Sequence, residues 1–168
     1  MSLSLQMGSI GQLARAGIAA SGLVSAALLG GCSTTSAPGL KVEGVTLGER
    51  TQDGVVAIFT VRGENSGIDP LPLKRATYSL MLGGKTVFTG ERMPLATLPG
   101  SGAQRFTIPA SIPASALPEG TGRGLFEYTL SGRIVYSEPG PISEILFDSG
   151  ISQPEASFSG TGVLDLSR

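Results

Sequence analysis

The chain has 168 residues, with 13 acidic and 12 basic side chains, no histidine and a single cysteine, Cys32. That length holds one domain and little else. Apart from Lys74-Arg75 the basic residues are scattered singly, which excludes the clustered cations of a nucleic-acid surface or a polybasic membrane patch; a lone Cys without His excludes an intrachain disulfide and the usual zinc sites.

The first 15 residues mix polar and apolar side chains and carry one cation, Arg15. Residues 16–31 are uncharged, apolar and rich in Gly and Ala. A positive start, an apolar middle and small residues before a break predict a secretory signal peptide over 1–31. The apolar stretch is shorter than the roughly 20 residues that a membrane-spanning helix needs. Leu29-Gly30-Gly31 directly before Cys32 resembles the lipobox of bacterial lipoproteins. The resemblance implies cleavage between Gly31 and Cys32, with the Cys32 thiol taking up a diacylglycerol and fixing the mature chain to a membrane. Ser33 rather than Asp follows, which implies the periplasmic face of the outer membrane in a Gram-negative source. Residues 32–39 are small and polar, a flexible tether.

From residue 40 the chain reads as short β-runs between turn residues. Residues 40–47 alternate loosely, and 55–61 form an unbroken β-branched and aromatic run of the kind buried between sheets. Ala76, Tyr78, Leu80 and Leu82 alternate with Thr77, Ser79 and Met81. Gly83-Gly84 turns the chain, and 85–89 return as the second arm of a hairpin. Residues 104–108 alternate again, and 125–130 continue to Tyr136 with a bend expected at Gly132. Residues 144–148 and 162–166 are expected as the last two strands. Residues 114–120 allow one helical turn at most, and no segment past residue 40 sustains a helical period. Seven or eight short strands predict an all-β sandwich over 40–168.

Asn65-Ser66-Gly67-Ile68-Asp69-Pro70-Leu71-Pro72-Leu73, then Tyr78-Ser79-Leu80-Met81-Leu82-Gly83-Gly84, then Val87 and Gly90, then Leu98-Pro99-Gly100-Ser101-Gly102 form an ordered series. In this order and spacing they resemble the late-embryogenesis-abundant type 2 family, also described by its water-stress and hypersensitive-response domain. The lipobox places the resemblance with the bacterial lipoprotein subgroup. It covers residues 40 to about 112 and implies a sandwich of about seven strands, of immunoglobulin or fibronectin-III type. Where the family has Asn-Pro-Asn this chain has Asn65-Ser66-Gly67, and Gly67 is expected to hold a positive φ. The family's late helix is reduced here to the single turn that 114–120 allow.

Other groups read as structural. Gly120-Thr121-Gly122-Arg123-Gly124 lacks the Lys-Ser/Thr of a phosphate loop and is expected to be a turn. Glu138, Glu144 and Asp148 fit no calcium loop. Tyr78, Tyr128 and Tyr136 fall in apolar alternation and are expected in the core or at its rim. No catalytic residue, cofactor or metal is expected, and the domain is expected to be a monomer. The functional reading is a membrane-anchored, non-enzymatic, stress-associated envelope lipoprotein that binds or protects envelope components. The alternatives are a scaffold that engages a protein partner by strand addition at a sheet edge and a cryptic hydrolase.

Overall fold

The computed structural model describes residues 36–117 and 124–167. Eight strands run through them: β1 (Gly39–Arg50), β2 (Gly54–Asn65), β3 (Leu71–Leu82), β4 (Lys85–Arg92), β5 (Thr97–Leu98), β6 (Gly102–Pro113), β7 (Leu125–Tyr136) and β8 (Glu155–Asp165). All pairings are antiparallel. One sheet has the order β1-β2-β6 and the other β4-β3-β7-β8, with the short β5 against the start of β3. β4 lies beside β3 rather than beside β6, so the strands divide three and four. An immunoglobulin constant domain divides them four and three.

The period of two predicted from sequence builds the core. Val55, Ala57, Phe59 and Val61 of β2 and Phe106, Ile108, Ala110 and Ile112 of β6 face inward from the first sheet. Leu80, Leu82, Tyr128, Leu130, Ile134 and Phe158 meet them from the second. In β3 the parity changes: Leu71 and Leu73 are buried, then Ala76, Tyr78, Leu80 and Leu82. A register shift between Leu73 and Arg75 makes this work. The adjacent cations Lys74 and Arg75 stay exposed while apolar residues on both sides point to the core. The Gly83-Gly84 hairpin is as expected, with φ of 54° and 82°, the two positive values that a type I′ turn demands.

Three expectations are corrected. Residues 144–148 are helix, not strand: they belong to α1 (Pro141–Asp148). Pro141 stands in the first turn, where its missing N–H is no loss, and Glu144 complements the helix dipole there. The helix ends in a Schellman motif. Gly150, with φ of 74°, donates to the Phe147 carbonyl at 3.0 Å, and the Ile151 N–H donates to that of Leu146 at 2.9 Å. Among the described residues of the earlier segment one 3-10 turn, Ala114–Ala116, stands. The last strand begins at Glu155, well before residue 162. β7 does not bend at Gly132: its pairing to Tyr78 on one side and Phe158 on the other is unbroken. The glycine is needed for close approach, since a Cβ there would lie 2.6 Å from the Cβ of Tyr78 and 2.7 Å from the Phe158 ring.

Candidate functional site

Leu29, Gly30, Gly31 and Cys32 lie outside the described residues, as does most of the 120–124 loop. The description begins at Ser36, whose Oγ lies 2.7 Å from Ser66 Oγ. The chain therefore enters the sandwich beside the loop between β2 and β3, and strand directions place three connections at this end: β2–β3, β4 through β5 to β6, and β7–β8 with α1. We call it the tethered end, for the N-terminal segment that leads into the sandwich there.

Its centre is Asn65, only 3% exposed. Asn65 Nδ2 donates to the Asp69 carbonyl at 2.7 Å, and Asn65 Oδ1 accepts the Gly67 N–H at 2.9 Å. One buried amide thus folds the loop back on itself in an Asx turn. Gly67 does not hold the positive φ expected of it; Ser101, opposite, does, at 48°. The two loops interlock, with the Ser101 N–H donating to the Gly67 carbonyl at 2.6 Å. A Cβ on Gly100 would fall 1.9 Å from the Ile68 carbonyl oxygen, so only glycine fits there.

The connections at this end also expose large apolar side chains. Ile68, Met93, Leu95, Ile142, Ile145 and Ile151 are each at least two-thirds exposed. Leu95 is 90% exposed and has a φ of 51°, a region that residues with a Cβ seldom occupy. Met93 and Leu95 line a groove of about 520 Å³ with Phe147 of α1, over the buried Val135. Lys74 Nζ lies 5.7 Å from the centre of the Phe147 ring, a cation–π contact. These apolar loop residues were not singled out from the sequence. The Pro141 start and the Ser149-Gly150 stop were the readable signals for the helix that carries two of them.

Charge at this end is mixed. Arg75 Nε lies 3.8 Å from a Glu91 oxygen. On the outer face of the first sheet Lys41, Arg62 and Arg105 stand opposite one another across three strands. Glu43 relieves them, accepting from Arg105 Nε at 2.6 Å and lying 4.0 Å from Arg62. The Arg105 hydrogen bond holds the Glu43 carboxyl below its usual range. Glu138 and Glu144 line one cleft with Lys74, while Asp148 lines the groove beside Phe147. Among the described residues no three His, Cys, Asp or Glu side chains come together to hold a metal ion. No helix among them is long and apolar enough to cross a membrane.

The three tyrosines are buried, as their alternation predicts. Tyr128 packs edge-on to Phe59 at 5.3 Å and Tyr78 lies 5.4 Å from Phe88. The Tyr78 hydroxyl donates to the Pro109 carbonyl, joining the two sheets. Burial pushes all three phenols above the ordinary range.

The fold defines an all-β sandwich of three and four long strands with a late helix between the last two. Solved structures of similar fold include the following three. One is a solution structure described as a late embryogenesis abundant (LEA) protein, with TM-score 0.60 and 20% identity, covering 77% of this chain and 71% of that one. A solution structure of a protein from Arabidopsis thaliana has TM-score 0.58 and 17% identity, covering 74% of this chain and 78% of that one. A crystal structure of a protein from Archaeoglobus fulgidus has TM-score 0.52 and 14% identity, covering 74% and 96%. No family model and no curated protein matches the sequence. The likeness is one of fold.

Proposed function

We propose that the chain is a lipid-anchored, non-enzymatic envelope protein of the late-embryogenesis-abundant type 2 kind, whose sandwich binds or shields envelope components under stress. The observation that carries this reading is Leu29-Gly30-Gly31-Cys32: the only cysteine of the chain follows an aliphatic-small-small sequence just ahead of the domain. A thiol is the nucleophile that diacylglycerol transfer requires, and two or more acyl chains hold a protein to a bilayer stably. The LEA-type fold supports the stress role, and the absence of histidine supports a binding rather than a catalytic task. Ser33 supports the outer membrane of a Gram-negative source. The scaffold reading has less behind it: edge strand β6 carries Pro109 and Pro113, the pairings of edge strands β1 and β4 are bulged, and edge strand β8 packs beside β1. Such edges discourage strand addition.

The test is Cys32→Ser, followed by detergent phase partitioning and mass spectrometry. The parent protein enters the detergent phase with residues 1–31 removed and acyl chains added. The variant stays aqueous or remains an uncleaved precursor. A variant that matures and partitions like the parent would sink the anchor.

A further inference from the structure

Among the described residues eight large apolar side chains are conspicuously exposed, and six of them belong to the connections at the tethered end. Only Leu125 and Val163 lie toward the opposite end. Monomeric proteins scatter exposed apolar residues singly; a gathering of them marks a contact surface. Leu95 sharpens the point, because a left-handed backbone holds it outward at 90% exposure where a polar residue or glycine would fit with less strain.

Chain length identifies what this surface meets. Ser36 is held against Ser66 of the β2–β3 loop, and Cys32 is four residues earlier. Four residues span at most about 14 Å when fully extended. An acylated Cys32 therefore keeps these loops next to the bilayer, too close for a globular partner to pass between. Acidic and basic residues are interspersed here, with Arg75 beside Glu91 and Lys74 between Glu144 and Phe147, so attraction to anionic lipid is not the driving force.

We propose that the tethered end docks against the lipid bilayer itself, with Ile68, Met93, Leu95, Ile142, Ile145 and Ile151 entering the interfacial region. The proposal rests on the anchor at Cys32 and adds an orientation: the sandwich stands on its loops, with the Gly83-Gly84 hairpin pointing away from the membrane. Apolar faces of this kind bury themselves about 5–10 Å into the headgroup and acyl boundary.

The chain has no tryptophan, so a single introduced one reports its own surroundings. Met93→Trp and Ile145→Trp place it at the tethered end, and Leu125→Trp places it at the other end with similar exposure. Each acylated full chain is reconstituted into phosphatidylcholine vesicles with plain or brominated acyl chains, and mass spectrometry reports the acyl groups on Cys32 separately. The expected result is a blue shift in plain vesicles and loss of most emission in brominated ones at positions 93 and 145, unchanged by salt, with neither change at 125. Acylated protein without bromine quenching at 93 and 145 overturns the docking while the anchor stands. A blue shift without quenching assigns the surface to a second copy or a protein and overturns it equally. Quenching that salt abolishes overturns the apolar mode of contact. A Cys32 without acyl chains removes anchor and docking together.

Discussion

The two ends of the sandwich are built on different terms. At the free end two of the three connections, 51–53 and 83–84, are short and locally specified. Thr51 N–H donates to the Gly54 carbonyl at 2.8 Å, Asp53 N–H to Thr51 Oγ1 at 3.2 Å, and Gly83-Gly84 supplies two positive φ values. At the tethered end the loops are longer and hold one another. Asn65 is buried to close one loop, Ser101 reaches across to Gly67, and Gly100 rests on Ile68. A turn that needs only its own residues can keep its surface polar. The tethered end exposes Leu95 and Ile145 in addition to solving its packing, and packing alone does not demand that.

Glycine substitutions break the comparison most sharply. Gly100→Ala puts a Cβ within 1.9 Å of a backbone oxygen that cannot rotate away, and overpacking of this severity costs about 3 kcal/mol. Gly83 has nothing within 4 Å of its missing Cβ and a φ of 54°. Gly83→Ala therefore costs about 1–2 kcal/mol, the ordinary left-handed penalty. Asparagine separates the two causes: it relieves Gly83, because it visits that region, and leaves Gly100 as damaged as alanine does. Denaturant unfolding of the four variants gives the order. Equal costs at both positions would erase the distinction between a steric and a backbone demand.

The buried amide comes next. Asn65→Ala strands the Asp69 carbonyl and the Gly67 N–H, and is expected to cost about 2 kcal/mol for the unmade bonds. Thr51→Ala at the free end loses one exposed hydrogen bond, which water replaces, and stays below about 1 kcal/mol. Comparable losses by thermal or denaturant unfolding would mean that the tethered end is no more tightly specified than the other.

These contrasts follow what could be read from the sequence. Strands with a period of two and dense β-branched or aromatic content, such as residues 55–61 and 76–82, were legible because one face must be buried. The start of β8 was not, since Ala156, Ser157, Ser159, Gly160 and Thr161 offer little apolar contrast around Phe158. α1 was misread because 144–148 were taken without Pro141 and Ile142, which supply the i, i+3, i+4 spacing with Ile145 and Leu146. Gly132 looked like a bend because a missing side chain is locally ambiguous; the Tyr78 and Phe158 that require it come from other strands. The Asn65 turn was placed correctly in the chain but given the wrong backbone. The exposed apolar loops escaped notice because exposure depends on partners that a sequence does not show. The resemblance of residues 29–32 to a lipobox is one of sequence alone, since they lie outside the described residues.

Tyr78, midway along β3, serves as a control for both ends. Tyr78→Phe removes the hydroxyl that joins the sheets through Pro109 and is expected to cost about 1 kcal/mol. Its phenol is raised by burial, with Arg92 opposing. A raised folded-state value means the neutral form is favoured in the fold. Its contribution is therefore complete below about pH 10, the unfolded value, and is lost as pH rises through the raised one. Tyr128 and Tyr136 shift the same way. Unfolding free energy should hold level up to about pH 10 and then fall, less steeply in Tyr78→Phe. An alkaline limb unchanged in the variant would show that Tyr78 does not titrate with unfolding.

The smallest effect is expected at Gly67, and it decides why glycine stands where the family that the sequence resembles has asparagine. A positive φ would make asparagine the best replacement and alanine a poor one. Gly67 lies outside that region, so asparagine loses its advantage. The constraint is instead a contact: an added Cβ would meet Asn65 Oδ1 at 3.2 Å, slightly too close. That oxygen already accepts the Gly67 N–H at 2.9 Å, and a shift of a few tenths of an ångström relieves the contact. Alanine also narrows the unfolded ensemble, which offsets roughly 0.4–1 kcal/mol. Gly67→Ala should therefore fall within about 1 kcal/mol of the parent, with Gly67→Asn no better and Gly67→Val worse, because a β-branched side chain crowds the same oxygen and stiffens at χ1. Thermal melts of the three give the order. Asparagine outranking alanine would restore the left-handed turn and show that the loop adopts a different backbone in solution; alanine first leaves the Asn65 amide as what shapes this end of the molecule.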